Sequence, residues 1–101
     1  MKAVKVQYTV KPEYVEQNKA NIRKVMDKLK AEPIAGMLYS SYTLADGQTF
    51  VHINICKDQE TLSKLGQLAE FNAFRTALKA SGPIEPPQST DLNPVGAGFE
   101  L

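Results

Sequence analysis

Residues 34–56 read IAGMLYSSYTLADGQTFVHINIC, and the Asp46-Gly47 pair in their middle decides the fold. Asp-Gly between two runs rich in aromatic and β-branched residues is a strong hairpin signal, because tight turns need backbone angles that these two residues tolerate. Counting outward from that turn pairs Leu44 with Thr49, Thr43 with Phe50, Tyr42 with Val51 and Ser41 with His52. The same count continues through Ser40–Ile53, Tyr39–Asn54, Leu38–Ile55 and Met37–Cys56. Side chains alternate across a sheet, so every second pair shares a face. One face then carries Leu38, Tyr42, Leu44, Val51, Ile53 and Ile55, the expected floor for a helical layer. The other carries Met37, Tyr39, Ser41, Thr43, Phe50, His52, Asn54 and Cys56, which is expected to be free of helices.

The flanking segments fix what surrounds this hairpin. Upstream, AVKVQYTV alternates Val4, Val6, Tyr8 and Val10 against Lys5, Gln7 and Thr9, the period of a half-buried strand. Its valine side is expected to join the helix floor, which leaves Lys5, Gln7 and Thr9 beside the polar face. The next stretch, KPEYVEQNKANIRKVMDKLKAE, predicts a helix. Pro12 suits the first turn, Glu13 and Glu16 suit its positive end, and Val15, Asn18, Ile22, Val25, Met26 and Leu29 form one stripe. Pro33 ends it.

Downstream of the hairpin, residues 57–82 predict a second helical stretch, with Asp58 as N-cap, Gly66 breaking its first turns and Gly82 stopping it. Leu62, Leu65, Leu68, Phe71, Phe74 and Leu78 form its buried side. The proline-rich tail is expected to start as an extended loop and to end in an edge strand around Leu92 and Val95, because Pro94 cannot donate to a ladder. The order is β-α-β-β-α-β. This is the ferredoxin-like arrangement of the α+β class, a four-stranded antiparallel sheet with two helices on one face, in one domain over residues 1–101.

Composition narrows the function classes. A net charge of +1 gives no footprint for nucleic acid, and no apolar run approaches the ~20 residues that span a bilayer. The N-terminus, MKAVKVQYTV, lacks the apolar core of a signal peptide, so the expected compartment is the cytoplasm. The single cysteine excludes an internal disulfide and any multi-cysteine metal site. Lys19, Arg23, Lys24, Lys28 and Lys30 alternate with Glu16, Asp27 and Glu32, which reads as a solvated helix face.

Three stretches carry a resemblance: VKPEYVEQN opening the first helix, TFVHINICKDQETL running from strand to helix, and LAEFNAFRTAL with its two spaced phenylalanines. Together they resemble the dimeric α/β-barrel superfamily, in particular the proteins similar to antibiotic biosynthesis monooxygenases. The resemblance implies a homodimeric α/β barrel in which two sheets stack through their helix-free faces. It also implies oxidation of small aromatic or quinol-like molecules with no metal or flavin cofactor. Haem-degrading relatives use a tryptophan, and a histidine on the second helix. This chain has no tryptophan, and its one histidine lies on a strand.

The hairpin supplies the candidate site. His52 and Cys56 share a face, but four strand residues span ~13 Å, too far for a nucleophile–base pair. His52 with Asn54, Tyr39 and Ser41 is the better constellation, able to converge on one small ligand. His52 is the candidate catalytic group, since imidazole titrates near neutral pH. Asn54, Tyr39, Ser41, Gln7, Phe50 and Phe71 are the candidate substrate-binding residues. Two readings stand side by side: a cofactor-independent monooxygenase, or a non-catalytic homodimer that binds a small metabolite or serves a structural role.

Overall fold

The computed structural model describes residues Met1–Leu101. Strand β1 (Lys2–Thr9) leads through a 3-10 turn at Pro12–Tyr14 into helix α1 (Val15–Ala31). Strands β2 (Met37–Thr43) and β3 (Thr49–Cys56) form the hairpin. Helix α2 (Gln59–Lys64), a 3-10 turn at Leu65–Gln67 and helix α3 (Ala69–Ala80) follow, and strand β4 (Glu85–Leu92) closes the chain. The sheet order is β2-β3-β1-β4, with all three pairings antiparallel. That is the ferredoxin-like order.

The hairpin register is the one counted from the sequence, from Thr43 opposite Phe50 to Met37 opposite Cys56. The turn reaches it by a different route. Only Gly47 has a positive φ, at 69°, and the Gly47 amide closes on the Leu44 carbonyl at 3.0 Å. The Asp46 carboxylate then accepts from the Gln48 and Thr49 amides and the Thr49 hydroxyl at 2.9, 2.8 and 2.6 Å. A side chain thus satisfies the backbone that a two-residue turn would have paired.

Helix starts and stops follow the local chemistry. Asp58 caps α2 by accepting from the Thr61 amide at 2.8 Å and the Thr61 hydroxyl at 2.7 Å. The break between α2 and α3 falls at Leu68, which is extended at φ −79° and ψ 123°, two residues beyond the glycine that the sequence suggested. Gly82 ends α3 with φ 66°.

Two expectations are corrected. Strand β4 begins at Glu85 and ends at Leu92, so the stretch expected to be a loop is the strand, and Val95 lies beyond it. Pro86 and Pro87 are tolerated there because β4 is an outer strand whose register against β1 shifts between Gln7 and Thr9.

The second correction is the face. Beyond Thr49 at its start, the buried residues of β3 are Phe50, His52, Asn54 and Cys56, while Val51, Ile53 and Ile55 are only partly buried. Both long helices pack on the side of the buried set. Asn18 of α1 bonds the Tyr8 hydroxyl, Phe74 of α3 lies 6.5 Å from the same ring, and Phe74 is 5.4 Å from the His52 ring. The packed core joins Tyr8, Val10, Ile22, Val25, Phe50, Phe74 and Leu78.

The reason is a matter of parity. β1 pairs with β3 so that Val6 stands opposite His52 and Tyr8 opposite Phe50. The valine side of β1 therefore shares its face with the histidine side of β3, and a shift of one residue would have reversed this. Leu38, Tyr42 and Leu44 sit on the opposite, helix-free face, 49, 56 and 47% exposed.

Candidate functional site

Between the sheet and the α2–α3 segment lies a cavity of about 480 Å³. Val4, Val6 and Tyr8 from β1, Tyr39 from β2, and His52 and Asn54 from β3 line its sheet side. Leu62, Leu65, Phe71, Phe74 and Leu78 line its helix side, and Pro87 and Ser89 of β4 close one end. Size and apolar walls suit a small ring system. Arg75 is the one charged residue among the lining.

The polar groups of the floor form a chain. The Asn18 amide nitrogen donates to the Tyr8 hydroxyl at 2.9 Å. That hydroxyl lies 2.8 Å from His52 Nε2, and the Tyr39 hydroxyl lies 2.8 Å from His52 Nδ1. Tyr8 holds one hydroxyl proton, and where it donates this to Nε2 the imidazole takes its Nδ1–H tautomer. Nδ1 then carries the ring proton and donates to Tyr39, whose own hydroxyl hydrogen is free for a further partner. Stacking tightens the row: the Tyr8 and Tyr39 rings lie 5.3 and 5.8 Å from the imidazole, tilted by 27° and 28°.

Burial sets the charge of this chain. It draws His52 from the usual 6.5 down to about 4, so the imidazole is neutral at physiological pH. It pushes the Tyr8 and Tyr39 phenols well above their ordinary value. The floor is thus an uncharged set of donors and acceptors. Asn54 adds an enclosed amide: its oxygen accepts from the Cys56 thiol at 2.9 Å, while its nitrogen has no partner. Unpaired buried donors are rare, and one on a cavity wall marks where an acceptor on a ligand would bond.

The residues singled out from the sequence divide clearly. His52, Asn54, Tyr39 and Phe71 meet at the cavity. They do so beneath the helices, not on the helix-free face. Ser41 lies 3.4 Å from His52 Nε2 but lines an outer groove beside α1 rather than the cavity. Phe50 stacks behind Tyr8 at 5.5 Å and belongs to the core. Gln7 stands opposite Val51, on the other face of the sheet, and lines a separate groove with Lys5 and Gln88. Cys56 is fully buried, and burial raises its thiol above the ordinary value, which makes it inert.

Sequence reasoning passed over Tyr8, Asn18 and Arg75 as site residues. Tyr8 read as one more apolar residue of its strand. Asn18 carried a signal, since it is a lone amide in an otherwise apolar helical stripe, and it is completely buried.

Solved structures match this architecture over nearly the whole chain. An antibiotic biosynthesis monooxygenase matches with a TM-score of 0.81 at 20% identity, over 95% of this chain and 100% of its own. The chain shares its fold with that protein. A protein from Mycobacterium tuberculosis matches at 0.82 with 17% identity, over 97% of this chain and 98% of its own. A point-substituted form of SnoaB, a cofactor-independent oxygenase from Streptomyces nogalater, matches at 0.73 with 13% identity, over 98% and 97%. No family model matches the sequence, and no curated protein matches it. No helix is long and apolar enough to cross a membrane, and no cluster of histidine, cysteine and carboxylate side chains is arranged to hold a metal ion.

Proposed function

We propose that this chain is a homodimeric, cofactor-independent monooxygenase acting on a small quinol-like aromatic. The observation that carries the proposal is the apolar cavity floored by the Tyr8–His52–Tyr39 chain beside the unpaired Asn54 amide. A flat ring fits between Phe71, Phe74 and the sheet, with its oxygens on Tyr39 and Asn54. In this role His52 positions the two phenols, and Tyr39 and Asn54 touch the substrate. A quinol carries its own electrons: with one O2 it gives a hydroxyquinone and one water, the ring supplying all four electrons. A new carbon–oxygen bond forms and the O–O bond breaks. Similarity to an oxygenase described as cofactor-independent supports the reading.

The dimer rests on the other side of the sheet. Leu38, Tyr42 and Leu44 stand exposed there beside partly buried Val51, Ile53 and Ile55, a patch that favours burial against a second copy.

A second reading is a ligand-binding protein without turnover. What favours it is that both nitrogens of the neutral imidazole are engaged by phenols, which leaves no free base on the floor.

Incubation of the purified protein with 1,4-naphthalenediol under oxygen separates the two. The enzyme reading predicts protein-dependent oxygen uptake, 2-hydroxy-1,4-naphthoquinone as product and no peroxide, with the rate falling at least tenfold in Asn54→Ala and Tyr39→Phe. Binding of the diol without such uptake favours the second reading. A rate unaffected by either substitution removes the proposed site.

A further inference from the structure

We infer that the ligand of this cavity is an aromatic acid, its ring on the tyrosine–histidine floor and its anionic arm held at the mouth by Arg75 and Lys79. The inference rests on the cavity being the ligand site and adds the chemical class of what enters it. Arg75 lines the main cavity and also an adjoining groove of about 370 Å³, so the two volumes meet at its side chain. That groove contains Lys79, one helical turn further along α3, and its opposite wall is Pro83, Pro86 and Pro87.

No carboxylate lines either volume, and neither Arg75 nor Lys79 joins an ion pair within the chain. The guanidinium is held over the Phe71 ring at 5.2 Å from its centroid, which steadies it beside the apolar wall. An uncharged interior and a mouth with two unpaired cations together describe a bipartite ligand. The planar fork of arginine pairs with a carboxylate through two hydrogen bonds, and lysine adds a point charge to the same end.

Titration calorimetry with 6-hydroxy-2-naphthoate and 2-naphthol tests this, since the two probes share a ring and a hydroxyl and differ in the carboxylate. The acid is expected to bind about tenfold more tightly at low ionic strength. That advantage should vanish in Arg75→Gln, persist only in part in Arg75→Lys, fall in Lys79→Gln and shrink at high salt. Equal affinities, or an advantage indifferent to Arg75→Gln, overturn the inference and leave the cavity as a ligand site. Failure of both probes to bind at millimolar concentration removes the inference and the cavity reading together.

Discussion

The two faces of the sheet reverse the usual distribution of polarity. Beneath the helices lie Tyr8, His52 and Asn54, all at most 6% exposed, while the helix-free face shows Leu38, Tyr42 and Leu44 at about half exposure. Polar groups go inside at less cost when they bond one another, as the Asn18 amide nitrogen, Tyr8, His52 and Tyr39 do, although the buried Asn18 amide oxygen has no partner. Apolar groups stay outside when a partner is there to cover them. Polarity alone therefore does not say which face of the hairpin the helices cover.

The contrast breaks most visibly on the bare face. Ile53→Lys puts a cation at the centre of the proposed interface, and sedimentation should fall from the mass of two chains to that of one with the circular dichroism unchanged. A mass that stays at two chains would place the interface elsewhere. On the covered face, Phe74→Ala removes a ring that touches Tyr8, His52 and Phe71, and should lower stability by about 3–5 kcal/mol in denaturant unfolding.

Acid sharpens the comparison further. His52 has its folded pKa, about 4, below the unfolded 6.5, so the unfolded chain takes up the proton first. Its contribution is complete above pH 6.5 and is lost as pH falls toward 4, a loss of about 3 kcal/mol across that window. Denaturation series at pH 7 and pH 4.5 should differ accordingly, and His52→Phe should flatten the difference. The smallest effect lies away from both faces. Asp58→Ala removes the cap on α2, with an expected loss of about 1 kcal/mol in thermal or denaturant unfolding.

Local chemistry was readable in the chain, and long-range parity was not. The hairpin register followed from Asp46 and Gly47, and the α2 cap from Asp58, because each depends on neighbours a few residues away. Which hairpin face meets the helices depends on how β1 aligns with β3 across more than forty residues, and no local residue encodes it. Counting aliphatic side chains favoured Val51, Ile53 and Ile55 as the floor, since apolar residues alternate on both faces of this sheet. The start of β4 was hidden for a related reason: an outer strand accepts Pro86 and Pro87 that an inner strand would reject. His52, Asn54 and Tyr39 were still found together, because their mutual spacing is set by the hairpin alone.

Nitrogen-15 NMR of the His52 ring across pH 4 to 8 tests the central claim most directly. An imidazole sealed beneath α3 between two phenols stays neutral to below pH 5, with its proton fixed on Nδ1. A ring that titrates near 6.5 and exchanges freely between tautomers would put His52 in contact with solvent and contradict the account.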